Sequence, residues 1–273
     1  MAMCACEAAP MRRRLLDNPI ARTVLSVWAW LVLAVVVTVW VPLVALVTLV
    51  TAPFDPGRYA AGWLFRRLTV VHQVLNPLWR FRRHGTLPPD PRRPYVVVSN
   101  HESMVDILLI SHLPWEMKWL AKSDFFAFPG IGWMMRMARD IRLVRGDSDS
   151  VAAAMAECAD RLAARVSVMI FPEGTRSASG QLGPFKDGAF RLAIETGTPI
   201  LPLAVHGTRP ALRKHDWRFG VSDADVYVLD TIDTSGLTRQ DVPALRERVR
   251  DVIAAKLVEV NALPSRRGSH DAA

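Results

Sequence analysis

Cysteine is scarce: the 273 residues include three, Cys4, Cys6 and Cys158. That excludes a disulfide framework, and with no metal-ligand spacing around them each reads as a reduced thiol. Several catalytic signatures are missing too. There is no G-x-S-x-G elbow, no Walker A loop and no complete G-x-G-x-x-G; Gly130-Ile131-Gly132 lacks the third glycine and reads as a turn after Pro129. Zinc binding of the H-E-x-x-H type is excluded because its second histidine position is Val105. Charge is also absent where it matters. The first 100 residues hold no lysine, and the 32 positions from Thr23 to Phe54 hold no charged residue.

What is present begins with arginine. Residues 1–100 carry 12 Arg against 4 acidic residues, while residues 101–273 carry 22 basic and 22 acidic. The whole net charge of +8 therefore sits beside the most apolar segment. A basic, apolar N-terminus ahead of a neutral domain points to an anionic membrane surface and away from nucleic acid. The 51% hydrophobic content is enough for a sizeable core.

The uncharged run is too long for a signal peptide. As one straight helix it would extend about 48 Å, against a hydrocarbon core of ~30 Å. Two full spans would need about 40 residues. Pro42, near its middle, is expected to kink or break it. Two readings fit: a kinked single span, or a helical hairpin dipping into one leaflet. Arginines flank both ends (Arg12 to Arg14 and Arg22 before; Arg58, Arg66 and Arg67 after). The positive-inside rule then puts both ends on the cytoplasmic side and favours the hairpin.

The expected organisation is a basic segment over 1–22, in which Met11 reads naturally as a start, and a membrane-embedded helical segment over 23–59. An interfacial basic and aromatic helix with a Pro-rich linker follows over 60–93, then a domain over 94–262 and a disordered tail over 263–273. The interfacial helix is read from residues 61–83, for which an ordinary surface helix is the alternative. Within the domain, short apolar runs at Tyr95–Val98, Val166–Phe171, Ile200–Val205 and Val226–Leu229 read as strands. Asp106–His112, Ser150–Arg165, Gly188–Thr196 and Pro243–Val260 read as helices. The alternation implies an α/β fold.

Two constellations carry chemistry. The first, Asn100-His101-Glu102-Ser103-Met104-Val105-Asp106, follows the strand YVVVS. On one helix His101 and Asp106 would be rotated about 140° apart. They can meet only with His101 in the strand-to-helix turn and Asp106 in the first helical turn. Asp106 would then fix the imidazole tautomer and leave His101 as a general base. An H-x4-D match alone arises by chance about once in two such chains, and Asp106 also fits position N3 of a helix capped by Ser103.

The second constellation is Phe171-Pro172-Glu173-Gly174-Thr175-Arg176-Ser177, after the strand VSVMI. An arginine in a glycine turn offers a planar fork for phosphate, and exposed N–H groups add an anion nest. Glu173 can orient Arg176 or a substrate hydroxyl; a plain surface Glu–Arg turn is the alternative. Arg145 and Lys186 would add positive charge, although each also fits solvated surface.

These blocks resemble the 1-acylglycerol-3-phosphate acyltransferase family (PlsC-type glycerolipid acyltransferases) across residues 94–206. NHESMVD is similar to the family's N-H-x4-D block. Pro129–Arg145 is similar to its second block, FPEGTRS to its third, and Pro199–Val205 to its fourth. WLAKSDF and FKDGAF also look family-like, with Asp124 and Asp187 where other residues are more frequent. The resemblance implies a mixed α/β sheet flanked by helices, with an N-terminal membrane-embedded helical hairpin. It implies acyl transfer to the sn-2 hydroxyl of 1-acyl-sn-glycerol 3-phosphate, giving phosphatidic acid.

His101 and Asp106 would be catalytic. Arg145, Glu173, Gly174, Thr175 and Arg176 would hold the acceptor phosphate, with Asn100 and Lys186 as accessories. The donor would be acyl-CoA or acyl carrier protein, with membrane lipids as partners and neither metal nor other cofactor. Other acceptors remain open: another lysophospholipid, glycerol 3-phosphate or an amino-acid-derived lipid. So does a non-catalytic lipid-binding protein, against which the intact His101 and Asp106 argue.

Overall fold

The uncharged run folds as one helix, α1 (Pro19–Thr51), in the computed structural model, which describes residues 18–177, 180–213 and 216–262. The expectations for Cys4, Cys6, Met11, Arg12 to Arg14 and the tail from 263 lie outside the described residues. Asn18 caps α1, its Oδ1 accepting from the N–H groups of Ile20 (2.9 Å) and Ala21 (3.3 Å), and Pro19 at the first position has no N–H to satisfy.

The expected break at Pro42 does not occur. A helical proline removes one hydrogen bond, and the helix is held on both sides of it by its neighbour. That neighbour is α2 (Tyr59–Val74): the hairpin expected within residues 23–59 is made instead by α1 and α2, turning at residues 52–58. Arg58 adopts φ 52° there and donates to the Thr48 carbonyl (3.1 Å), while Asp55 caps α2 by accepting from the Ala60 N–H (2.8 Å). The Trp40 indole donates to Leu64 O (2.8 Å), His72 Nε2 meets Ala29 O (3.1 Å), and Trp28 donates to Leu75 O (2.9 Å). These pairings run antiparallel.

Both ends of α1 are tied to the rest of the protein. Near the N-terminal end, Arg22 donates to Phe219 O (2.8 Å) and pairs with Asp216 (3.0 Å). At mid-helix, Gly130 comes so near Val37 that a Cβ there would lie 2.4 Å from Cγ1, and just past the C-terminal end Arg139 donates to Pro56 O (2.8 Å). α1 thus lies along the domain and does not project from it. Its outer face exposes Ile20, Val24, Leu31, Val35, Leu46 and Leu49. Among the described residues it is the one helix long and apolar enough to cross a membrane.

The expected interfacial helix stops at Val74. Trp79–His84 is instead a strand, β1, so the sheet begins well before residue 94. The remaining strands are β2 (Val96–Ser99), β3 (Met117–Lys122), β4 (Ile141–Leu143), β5 (Ser167–Ile170), β6 (Ile200–His206) and β7 (Ser222–Val228). Their order is β1-β7-β6-β2-β5-β3-β4, parallel throughout except between β6 and β7. Pro202 sits just outside the β7 ladder, which spans Leu203–His206, a place where a strand proline is tolerated.

Both faces of the sheet are covered, as a parallel sheet requires. Val96, Val98, Val168, Ile170, Ile200 and Ala204 pack against α4 (Ser148–Ala163), α5 (Gly188–Thr196) and α6 (Val242–Ala262). Val97, Met169, Leu201, Leu203 and Val205 face the other way, toward α3 (Asp106–Ile110). Cys158 is buried in the first core, and burial pushes its thiol up to about 12, so it behaves as a small inert hydrophobe.

A buried charge cluster fastens α2 to the sheet. Arg66 pairs with Asp140 and lies 3.5 Å from Glu116, which holds Lys118 at 2.9 Å; all four side chains are at most 7% exposed. Removing one partner of such a cluster strands its counter-ions in the interior, at a cost of about 3–5 kcal/mol. Arg66→Ala is therefore expected to lower Tm by roughly 10 °C or more. A thermal scan superimposable on the wild type would show that Arg66 does not neutralise Asp140 and Glu116.

Candidate active site

The sheet order β6-β2-β5 brings three carboxyl-terminal strand ends side by side. His101 follows β2, the FPEGTRS segment follows β5, and Gly207-Thr208 follows β6. Such an edge is where open α/β sheets place their ligands.

His101 sits in the turn between β2 and α3, and Asp106 is the first residue of α3. His101 Nδ1 lies 2.7 Å from Asp106 Oδ2. That oxygen also accepts from the N–H groups of Glu102 (2.7 Å) and Ser103 (2.9 Å), and Oδ1 accepts from the Thr208 hydroxyl. A carboxylate so surrounded acts as an acceptor, which assigns the proton to Nδ1 and leaves the Nε2 lone pair open. The imidazole stacks on Phe171, with centroids 3.9 Å apart and planes at 14°. Asp106 is fully buried and the His101 side chain is 9% exposed, so the pair works in a shielded setting.

The structure gives Glu173 a different task from the expected one. Its Oε1 accepts from the His101 N–H (2.8 Å) and its Oε2 from the Gly183 N–H (2.9 Å). Both oxygens are engaged by backbone, so Glu173 does not orient Arg176, and its charge would repel a phosphate. Burial pushes its carboxyl up, opposed by those two N–H donors. Ser177 N–H in turn donates to His101 O (2.8 Å). The FPEGTRS turn thus clasps the backbone of His101 from both sides.

Asn100 is also differently placed from an accessory catalytic group. Its side-chain amide donates to Val205 O and accepts from Val205 N–H, both at 2.8 Å, extending the β2–β6 ladder by one rung. Gly174 has φ 71°, and a Cβ there would lie 2.9 Å from Lys186 Nζ. The left-handed backbone is what favours glycine at that position; the Lys186 ammonium group rests against it and could shift. Lys186 is further held by its N–H to Pro172 O (2.9 Å). Thr175 and Arg176 are exposed and have no hydrogen-bonding partner among the described residues.

Gly174, Thr175, Arg176 and Lys186 therefore form one cationic turn. Arg145, exposed after β4, lies on the same sheet edge but two strands from β5, roughly 10 Å away. The sequence reading did not include Thr208 or the stacking of Phe171. Thr208 belongs to no motif and is set beside Asp106 by strand order alone, while Phe171 opens FPEGTRS without any sign of its stacking partner. Among the described residues no group of three or more His, Cys, Asp or Glu is suited to a metal ion.

A buried carboxylate that orients an imidazole, beside a cationic glycine turn, has the chemistry for general-base group transfer to or from an anionic substrate. Residues 80–206 match the family model described as Acyltransferase. Human 1-acyl-sn-glycerol-3-phosphate acyltransferase alpha is 34% identical over 207 residues, 75% of this chain and 73% of that protein. A chloroplastic 1-acyl-sn-glycerol-3-phosphate acyltransferase of Arabidopsis thaliana is 41% identical over 156 residues, 57% of this chain and 44% of that one. The crystal structure of the 1-acyl-sn-glycerophosphate (LPA) acyltransferase PlsC from Thermotoga maritima superposes with a TM-score of 0.73 at 24% identity. It covers 89% of this chain and 99% of that one, and shows the shared fold. The chain belongs to the 1-acylglycerol-3-phosphate acyltransferase family and is an acyltransferase.

Proposed function

We propose that the protein transfers a fatty acyl group from an acyl thioester, acyl-CoA or acyl carrier protein, to the sn-2 hydroxyl of 1-acyl-sn-glycerol 3-phosphate, giving phosphatidic acid. The observation that carries this is the open Nε2 of His101, opposite an Nδ1 held by Asp106. Nε2 takes the proton of the acceptor hydroxyl as its oxygen attacks the thioester carbonyl. The tetrahedral intermediate expels the thiolate, which recovers that proton from the imidazolium. Asp106 stabilises the imidazolium without being protonated. Base catalysis of this kind is worth roughly 10²–10⁴-fold; positioning and oxyanion stabilisation supply the rest.

Arg176 and Lys186 are the groups suited to the acceptor phosphate. Arg176→Ala is expected to lower kcat/KM for the acceptor about tenfold or more, the worth of one charge-assisted hydrogen bond. Acceptor kinetics at saturating donor check this; an unchanged kcat/KM would remove Arg176 from the phosphate site.

The helices support work at a lipid surface. A helix with both ends fastened to one domain keeps those ends on one side of the bilayer, so α1 and α2 lie in a single leaflet, with the catalytic domain on the cytoplasmic face. The test is acyl transfer by the purified protein in mixed micelles, offering lysophosphatidic acid, other lysophospholipids and glycerol 3-phosphate with labelled acyl-CoA, then with acyl carrier protein. Labelled phosphatidic acid is the expected product. Transfer to a different acceptor with none to lysophosphatidic acid would replace the substrate assigned here.

A further inference from the structure

Two polar side chains at the site have no part in the general-base scheme. Thr208 is fully buried and donates its hydroxyl to Asp106 Oδ1. Glu102, the residue after the base, holds its Oε2 3.4 Å from the same Thr208 Oγ1. We propose that the dyad is the inner half of a four-membered chain, Glu102–Thr208–Asp106–His101, in which Thr208 positions Asp106 and Glu102 tunes it through the shared hydroxyl. This role presupposes the acyl-transfer reading given above.

The division of labour on Asp106 supports it. Oδ2 receives the imidazole and two backbone N–H groups, while Oδ1 is met by Thr208. Anchored at one oxygen, a carboxylate can still rock about its Cβ–Cγ bond. Thr208 fixes the second oxygen, and with it the plane from which the imidazole takes its orientation. Strand order places this donor: β6 lies beside β2 in the sheet, and Thr208 stands just past the end of β6.

A threonine hydroxyl has one proton to give. With Glu102 ionised, two carboxylates face that proton, and a second negative charge stands near Asp106. With Glu102 neutral, its carboxyl O–H donates to Thr208 Oγ1, and the Thr208 hydroxyl donates to Asp106 Oδ1. Asp106, from α3, is the charged side chain acting on Glu102; the segment after β6 faces it with the Thr208 hydroxyl and the N–H groups of Thr208 and Arg209. Burial and the Asp106 charge push the Glu102 carboxyl up to about 7, against the pull of those donors. Both forms of the chain are therefore populated near neutral pH.

The experiment compares full-length wild type, Thr208→Val, Thr208→Ser and Glu102→Gln in the micelle assay with lysophosphatidic acid and acyl-CoA. It records kcat, both KM values and the pH profile of kcat/KM, with His101→Ala as blank. Thr208→Val is expected to lower kcat about tenfold to ~10²-fold with both KM values unchanged, and Thr208→Ser to recover most of the loss. Without its donor, Asp106 favours the protonated dyad more strongly, so the ascending limb of kcat/KM moves to higher pH. Glu102→Gln removes a nearby negative charge and moves that limb to lower pH.

Wild-type kcat and pH profile in Thr208→Val, or Thr208→Ser no better than Thr208→Val, would overturn the chain. If Thr208→Val does not fold, Glu102→Gln decides: a limb shifted to lower pH supports the chain, and an unmoved limb overturns it. Transfer that depends on His101 but ignores both outer residues defeats the chain alone. Absence of transfer in the wild type defeats the acyl-transfer reading with it.

Discussion

His101→Ala is expected to lower kcat by at least about 10²–10⁴-fold and to leave the fold intact. The contacts that organise this turn explain why the two effects separate. Glu173 and Ser177 hold the main chain of His101, not its ring, so the clasp survives the substitution. Asp106 keeps the N–H groups of Glu102 and Ser103 and the Thr208 hydroxyl. What disappears is the imidazole stacked on Phe171, and with it the group proposed to take the acceptor's proton. KM for the acceptor should stay close to the wild-type value, because the cationic turn is untouched. Turnover like that of the wild type in a correctly folded His101→Ala protein would remove the base assignment.

Asp106→Asn is expected to cost roughly 10⁴-fold in kcat, in line with the loss of a buried carboxylate partner from a catalytic imidazole. An asparagine has one acceptor oxygen where the carboxylate has two. The N–H groups of Glu102 and Ser103 claim that oxygen, which turns the side-chain NH2 toward Thr208. The Thr208 hydroxyl must then accept from it and direct its own proton elsewhere. The imidazole keeps a neutral acceptor at Nδ1 but loses the charge that stabilises the imidazolium. Disturbing these buried hydrogen bonds should cost about 1–3 kcal/mol of stability, which leaves the protein folded. Steady-state kinetics with near-ultraviolet circular dichroism check both halves; a kcat within tenfold of wild type would show that Asp106 is not the imidazole's counter-ion.

Much of this architecture is legible in the residues. Tyr95–Val98 and Ile200–Val205 read as buried strands because each is an apolar run bounded by turn formers, and they become β2 and β6 at the centre of the sheet. The His101–Asp106 spacing demands a strand-to-helix turn, and one is there. Three strands escaped notice for separate physical reasons. β1 is WRFRRH, and its charge reflects an edge position, where cationic side chains discourage further pairing. Its partner β7 lies far along the chain, so no local pattern announces it. β3 carries Lys118 at a fully buried position, made possible by Glu116 beside it and by the Arg58 carbonyl. β4 is three residues long.

At the site, Glu173 and Asn100 read as functional groups because polar residues next to a catalytic motif invite it. Their partners, the His101 N–H for Glu173 and Val205 for Asn100, are set by the packing of distant segments. Thr208 escaped for the same reason in reverse: its neighbour Asp106 is distant in sequence but one strand away in the sheet. Pro42 misled because its cost is local, whereas α1 is held along its length by α2 and the domain.

Direct transfer to a bound hydroxyl is the central claim, and its sharpest test follows thiol release from acyl-CoA by the wild-type protein in micelles. The acceptors are lysophosphatidic acid and its 2-deoxy analogue, which keeps the phosphate and acyl chain but lacks the attacking oxygen. Thiol release matched by phosphatidic acid formation with the first, and none with the second, is the predicted result. Equal thiol release with both acceptors would mean that water or an enzyme nucleophile takes the acyl group, and would contradict it.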